Sequence, residues 1–205
     1  MPTLLRLDSS PREAGSHSRA IADLVEQHLQ SITPDLVIKR RDLSITTPAS
    51  IANETIAGFY TPPEAMTPSL KAATAMSDEL INELKSADTL LISAPMYNFS
   101  VPSSLKAWID QIVRINETFS FDGSSFGGLV PVKRAVLALA YGAQGYTEGG
   151  ELTAMNFFEP YLISLLTFLG IENIQVFRLE GTSGLNPEDI TDEKAKLAAA
   201  ITHTL

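Results

Sequence analysis

The stretch TLLRLDSSPREAGSHS, residues 3–18, decides the fold of this chain. It begins with a strand candidate, Thr3–Leu7, whose mostly apolar side chains suit a position inside a sheet. It ends directly before the helical pattern Arg19–Gln30, in which apolar residues recur at three- and four-residue spacing. The stretch therefore predicts a strand, a loop at its carboxyl end and a helix, which is the repeating unit of a parallel α/β fold.

The same alternation continues along the rest of the chain. Four further strand candidates follow: Leu36–Arg40, Thr89–Ser93, Arg134–Ala140 and Ile174–Leu179. Helical patterns lie around them at Ser77–Ala87, Leu105–Val113, within Glu151–Leu169 before Gly170, and at Asp192–Thr204. We therefore predict a single domain, residues 1–205, with a doubly wound, flavodoxin-like α/β fold: a five-stranded parallel sheet with helices on both faces. The proline-rich segment Leu43–Met76 interrupts the rhythm, and we interpret it as a long ordered loop with some helix near the functional site.

Composition excludes several classes of function. The net charge of −9 argues against nucleic acid or an anionic membrane as a partner, because both require a basic surface. The chain has no cysteine for disulfide, thiolate or iron–sulfur chemistry, and no two of its three histidines have metal-ligand spacing, so we predict no metal site. No apolar run is long enough to span a bilayer and no signal-peptide pattern is present, so we expect a cytoplasmic protein.

An acidic chain must hold an anion with backbone N–H groups and hydroxyls, and the first loop offers both. The triplet Ser16-His17-Ser18 lies around the N-cap of the predicted helix, where unpaired N–H groups and a partial positive charge make an anion site. The hydroxyls of Ser10, Ser16 and Ser18 add donors for a phosphate. Serines that only cap a helix and form a turn have the same pattern, so this loop alone leaves both interpretations open.

Two further loops follow the strands that we expect beside the first. Pro95 and Pro102 bracket a stiff turn with the sequence Met96-Tyr97-Asn98-Phe99, whose apolar and aromatic side chains can cover a planar ring while amides bond its polar edge. The stretch Ala140-Tyr141-Gly142-Ala143 follows the fourth strand, and its glycine lets the backbone approach a flat ligand. A buried aromatic turn and an ordinary glycine loop are the simpler interpretations of each stretch taken alone.

Taken together, these residues resemble the FMN-dependent NADH azoreductases, also called NADH:quinone oxidoreductases, over nearly the whole chain. The most specific segments are APMYNF at 94–99, VPSSLK at 101–106 and the serines of the first loop. The resemblance implies FMN, bound non-covalently, as the cofactor. The residues that it points to are Ser10, Ser16, His17 and Ser18 around the phosphate, Met96, Tyr97, Asn98 and Phe99 against the ring, and the backbone of Ala140, Tyr141, Gly142 and Ala143.

The resemblance also implies the reaction. NADH or NADPH donates electrons, and quinones or aromatic azo compounds accept them at the same face of the flavin, so we expect ping-pong kinetics. The chemistry resides on the flavin, and no catalytic side chain is evident. We expect the amides of Tyr141 and Gly142 to stabilise the reduced ring. The third loop departs from the family, which often has Ser-Arg-Gly-Gly where this chain has residues 140–143, so an arginine near the flavin is missing.

The resemblance further implies a homodimer with both chains around each flavin. The apolar stretch 155–169 and the aromatic residues Phe119 and Phe121 exceed what one domain needs to bury, and we assign Phe121 to the substrate pocket. Two other classes of function fit the fold. One is a flavodoxin-type one-electron carrier protein without small-molecule turnover, which the proline-rich insertion and the aromatic residues argue against. The other is a fold relative that binds no flavin.

Overall fold

A five-stranded parallel sheet forms the centre of the chain. The computed structural model describes residues 1–147 and 149–205. The sheet has the order β2-β1-β3-β6-β7, and every neighbouring pair is parallel. Its strands are β1 (Thr3–Asp8), β2 (Val37–Asp42), β3 (Thr89–Pro95), β6 (Arg134–Ala140) and β7 (Ile174–Leu179), while β4 (Phe119–Phe121) and β5 (Phe126–Gly128) form a separate antiparallel hairpin. The predicted flavodoxin-like α/β fold is confirmed, and all five predicted strands lie within two residues of their predicted positions.

Helices cover both faces of the sheet. They are α1 (His17–Ile32), α2 (Asn53–Tyr60), α3 (Pro68–Lys85), α4 (Ser103–Ile112), α5 (Glu159–Phe168) and α6 (Pro187–Thr204). Helices α1 and α6 pack on one face, where Ile21, Val25 and Ile201 join one buried cluster. Helices α3, α4 and α5 supply the larger cluster on the other face, around Trp108. Since both faces are covered, β3 and β6 are buried almost throughout, which explains their continuous apolar sequence.

The segment Leu43–Met76 is more helical than we predicted. It contains α2, and α3 begins at Pro68 rather than at Ser77 because the hydroxyl of Thr67 accepts from the backbone N–H of Leu70 and Pro68 occupies the first turn. Its first residues lie beside the first loop, because the hydroxyl of Ser44 accepts from Arg19, which also bonds the carbonyl of Ser10. Further along the segment, the carbonyl of Ala49 accepts from the side-chain amide of Gln111, 2.8 Å away near the C-terminal end of α4.

The β4–β5 hairpin is held against the end of α5. The backbone N–H of Val130 donates to the carbonyl of Leu169, and a Cβ on Gly128 would lie only 2.2 Å from the backbone nitrogen of Gly170. Only a glycine at 128 permits this close approach. The ring of Phe168 lies 5.0 Å from that of Phe119 and 5.7 Å from that of Phe126, between ring centroids. The hairpin thus presents aromatic side chains from a fixed support.

Candidate functional site

The first loop leaves β1 and forms the start of α1. The hydroxyl of Ser16 caps the helix by accepting from the backbone N–H of Arg19 at 3.4 Å, and it lies 3.3 Å from the hydroxyl of Ser18. Ser10, Ser16 and Ser18 are all buried. Within the described residues, the backbone N–H groups of His17 and Ser18 have no acceptor in the protein. The loop therefore collects hydroxyls and free amides at the positive end of a helix dipole.

His17 adds an imidazole to the first loop. Its Nδ1 atom is buried and has no partner among the described residues. Burial lowers the pKa of His17, and the nearby positive charges of Lys194 and Arg12 lower this pKa further, so the ring is neutral at pH 7. A buried nitrogen without a protein partner, next to free amides and hydroxyls, fits a bound ligand with polar oxygens.

The second loop is a tight turn with an unusual backbone. Tyr97 and Ser100 exchange two backbone hydrogen bonds, of 3.0 and 3.1 Å, across Asn98 and Phe99. Both of these central residues have positive φ, +48° and +69°, which is uncommon for a residue as bulky as phenylalanine. The carbonyl of Phe99 accepts from the backbone N–H of Phe157 at 3.1 Å, which fixes the turn from outside. Strained turns of this kind occur at ligand clamps.

The third loop differs from our prediction at one residue. Tyr141 does not offer its amide to the site, because this N–H donates to the carbonyl of Leu179 at 2.8 Å. Its side chain is fully buried and its hydroxyl donates to Glu159. Burial, followed by the charge of Glu159, raises the pKa of Tyr141. The amide of Gly142, by contrast, has no partner among the described residues and remains available to a ligand.

The three loops meet around one cavity of about 500 Å³ at the carboxyl end of the sheet. Predicted residues that line it are Ser10, Ser16, His17, Ser18, Met96, Tyr97, Ala140 and Gly142. Predicted residues that do not line it are Asn98, Phe99, Tyr141, Ala143 and Phe121. Asn98 and Ala143 border neighbouring grooves, of about 520 and 610 Å³, that share residues with the cavity. The cavity therefore joins the loop that we expect to bind a phosphate, the phosphate loop of residues 10–18, to the loop that we expect to cover a ring, residues 95–100.

Sequence reasoning missed a fourth wall of the cavity. Thr182 and Ser183 line it from the loop that follows β7, together with Arg12, Gly15 and Pro95 from loops already considered. The backbone N–H of Ser183 donates to the carbonyl of Gly142, which holds this loop against the third one. The small and hydroxyl residues 181–184 directly after the last strand were the available signal, because ligands in such folds bind at the carboxyl ends of strands.

Phe121 lies on the hairpin, outside the cavity of this chain. Its side chain is 46% exposed and its ring stacks at 4.7 Å on that of Phe126, which is 63% exposed. The turn between them is closed by the carboxylate of Asp122, which accepts from the backbone N–H groups of Ser124 and Ser125. The hairpin thus exposes a rigid pair of aromatic rings that its own domain does not cover.

The fold and the cavity together define a class of protein: a flavodoxin-like domain with a site for a phosphate-bearing planar ligand. Among the described residues, no cluster of histidine and acidic side chains is arranged to hold a metal ion. In the same part of the chain, no helix is both long and apolar enough to cross a membrane. Among the described residues that line the cavity there is no carboxylate, so none of them repels a phosphate dianion.

Comparisons with known proteins agree with this class. The flavodoxin-like fold family matches residues 2–203. An FMN-dependent NADH:quinone oxidoreductase from Xanthobacter autotrophicus is 50% identical over 176 residues, which is 86% of this chain and 85% of that protein. An FMN-dependent NAD(P)H:quinone oxidoreductase from Pseudomonas aeruginosa is 38% identical over 208 residues and covers 98% of each chain.

Solved structures show the same fold. A Bacillus anthracis azoreductase superposes with a TM-score of 0.88 at 21% identity, covering 99% of this chain and all of that one. An FMN-dependent NADH-azoreductase from the same species, solved in complex with FMN, has a TM-score of 0.86 at 23% identity and covers 99% of both chains. This chain belongs to the flavodoxin-like family that contains the FMN-dependent NADH:quinone oxidoreductases.

Proposed function

We propose that this chain is an FMN-dependent oxidoreductase that passes two electrons from NADH or NADPH to quinones and aromatic azo compounds. A relative with 50% identity is named an FMN-dependent NADH:quinone oxidoreductase, and a solved structure of the same fold is named an azoreductase. One observation of the site carries the proposal: a single cavity collects the free amides of His17, Ser18 and Gly142 with the apolar side chains of Met96 and Tyr97. The free amides suit a phosphate, and the apolar side chains suit an isoalloxazine ring.

The phosphate half of the cavity binds without a full positive charge at its centre. The hydroxyls of Ser10, Ser16 and Ser18 and the free amides at the start of α1 donate hydrogen bonds to phosphate oxygens. The helix dipole adds a favourable potential at short range. Because these donors are already buried and oriented in the folded chain, phosphate binding requires little reordering of the loop.

The ring half positions the redox centre. When bound, FMN would supply the two-electron chemistry between donor and acceptor. Met96 and Tyr97 would cover one side of the ring, with Asn98 and Phe99 completing the turn that carries them, and the backbone of Ala140 and Gly142 would border its edge. The free amide of Gly142 would donate to negative charge on the reduced ring. One open face then serves donor and acceptor in turn, so the kinetics are ping-pong.

The working unit in this proposal is a homodimer with residues of both chains around each flavin. The hairpin supports it, since Phe121 and Phe126 are exposed on a rigid element and form an apolar patch with Leu129. Two-fold symmetry would place one chain's hairpin near the other chain's cavity and give two equivalent sites. Light scattering should report about twice the mass of the chain, and a fully active monomer at nanomolar concentration would contradict the shared site.

The decisive experiment follows the cofactor and its turnover. Purified protein should be yellow and release FMN rather than FAD on denaturation. Anaerobic NADH should bleach about one equivalent of flavin per chain and then stop, and addition of a quinone should restart NADH consumption. A colourless protein that takes up no FMN would refute the proposal. Flavin reduction without any turnover of quinones or azo dyes would favour the one-electron carrier instead.

A further inference from the structure

Arg19 lies in the first turn of α1, behind the phosphate loop and outside the cavity lining. Its side chain is only 15% exposed. One guanidinium nitrogen, Nη1, donates to the carboxylate of Asp42 at 2.6 Å. The other, Nη2, donates to the backbone carbonyl of Ser10 at 2.7 Å and to the hydroxyl of Ser44 at 3.1 Å. Arg19 therefore joins the end of β2 to the first residue of the cavity wall.

This contact closes the phosphate loop. Residues 11–15 are exposed, so the loop is held mainly at its two ends, Ser10 and Ser16. The backbone N–H of Arg19 donates to the hydroxyl of Ser16, while its side chain holds the carbonyl of Ser10. A single residue thus bonds both ends of the loop and sets the separation of the hydroxyls that face the cavity.

The same contact directs the carbonyl of Ser10 toward Arg19 and away from the cavity. A carbonyl oxygen turned into the cavity would repel a phosphate dianion, because its partial charge is negative. The charge of Arg19 is itself balanced: Asp42 is bonded to it, and Asp8 lies 3.8 Å from Nη1. The guanidinium is therefore fixed in place by neighbouring carboxylates, and its contribution is to hold the loop rather than to attract the ligand.

We propose that Arg19 is a positioning residue for the flavin phosphate, which acts by holding Ser10 in register with the start of α1. The inference rests on the proposed function, since it requires that the cavity binds FMN. It assigns a specific consequence to the loss of Arg19. Ligands with a phosphate lose affinity, whereas the same ring without a phosphate keeps its affinity, because Arg19 makes no hydrogen bond to the second or third loop among the described residues.

Arg41 provides a matched control on the neighbouring strand β2. Its side chain is 17% exposed, close to the value for Arg19. Its guanidinium bonds two groups, the carboxylates of Glu79 and Glu83, one fewer than the three that Arg19 bonds. These partners belong to α3 and have no contact with the phosphate loop. Replacement of Arg41 removes a comparable set of ion pairs and leaves the cavity unchanged.

The experiment compares FMN and riboflavin on apo-protein, with flavin fluorescence quenching as the readout. In R19M we expect the dissociation constant of FMN to rise by about tenfold or more and that of riboflavin by less than about threefold. R41M should shift both by less than about twofold, although its melting temperature falls. R19K, which keeps the charge and loses the forked geometry, should lie between wild type and R19M for FMN.

Equal losses for both flavins in R19M, or an unchanged FMN affinity, would overturn the positioning role. If R19M does not fold, R19K serves in its place and must lower the affinity for FMN more than the affinity for riboflavin. Equal losses of affinity in R19K would likewise overturn the positioning role. Failure of the proposed function gives a different result, because wild type would then bind neither flavin.

Discussion

The two halves of the cavity are built differently. In the phosphate half, Ser10, Ser16 and Ser18 are at most 8% exposed, and each is tied to its own loop or helix. In the ring half, Tyr97 is 41% exposed and Met96 is half-buried. Polar donors are thus oriented before any ligand arrives, whereas apolar side chains remain partly open to solvent.

This difference follows from the two kinds of interaction. A hydrogen bond depends steeply on angle and distance, so its donors must be held by the folded chain. Apolar contact has no direction and scales with the area covered, so a ring needs only surfaces that can close over it. Within this chain the donors of the phosphate half are held in place, and the ring half stays partly open to solvent. Each prediction below changes one half of the cavity or its support and so tests this comparison.

The largest effect is expected from the double variant S16A/S18A. It removes two donors to a charged acceptor, each contributing roughly 1.5–3 kcal/mol, so the affinity for FMN should fall at least tenfold. Riboflavin, which lacks the phosphate, should bind almost as before. Ser31→Ala is the control, because this exposed serine lies at the far end of the same helix and bonds only a local carbonyl. Isothermal titration with both flavins measures the effect, and equal losses would place the phosphate elsewhere.

A smaller effect, confined to the ring half, is expected from Gly128→Ala. The new Cβ would overlap the backbone at Gly170, so the hairpin must move, at a cost of roughly 1–3 kcal/mol in unfolding free energy. The catalytic efficiency with quinones should fall while FMN affinity stays the same. Gly127→Ala is the matched control, since its Cβ meets only the hydroxyl of Ser120 at 3.1 Å. A similar loss of catalytic efficiency in both variants would show that the position of the hairpin does not determine activity with quinones.

Phe121→Ala should act on the acceptor alone. Loss of one exposed ring removes contact area from the patch and leaves the backbone in place, so the KM for quinones should rise by about three- to fivefold. The dissociation constant of FMN should change less than the KM. Ile32→Ala serves as control, because this exposed residue lies at the opposite end of α1, about 22 Å along the helix from the phosphate loop. A larger change in FMN affinity than in quinone kinetics would remove Phe121 from the substrate side.

The smallest effect concerns pH and the support of the phosphate half. Burial raises the pKa of Asp42, but hydrogen bonds from Arg19 and Ser44 outweigh it and lower this pKa from 3.8 to about 2. Since the folded pKa is the lower one, the unfolded chain binds more protons between these values. The stabilisation is therefore complete above pH 4 and is lost as the pH falls toward 2.

We expect Asp42→Asn to reduce the unfolding free energy by about 1–2 kcal/mol at pH 7, and its difference from wild type to shrink between pH 4 and 2. Denaturant titration across this range measures both. A constant difference across the range would contradict the pKa assignment.

Local sequence was sufficient for the five strands of the central sheet and for most of the cavity, but not for the β4–β5 hairpin or for the start of α3. Continuous apolar runs such as Ala135–Ala140 indicate strands covered on both faces, because only such strands can be apolar on every side chain. The serines around His17 sit where a helix must begin. Both signals arise within a few residues of chain, and both predictions agree with the structure.

Contacts between distant segments decided the rest. Tyr141 and Gly142 are neighbours in sequence, but the amide of Tyr141 donates to the carbonyl of Leu179 and its hydroxyl donates to Glu159. Of the two residues, only Gly142 therefore lines the cavity. Thr182 and Ser183 reach the site because β7 lies next to β6. The sequence by itself determined which segments fold as strands, helices and polar loops, since those depend on short-range periodicity and capping. Only the tertiary structure decided which donors remain free, because a donor's availability depends on a partner that the chain brings from far away.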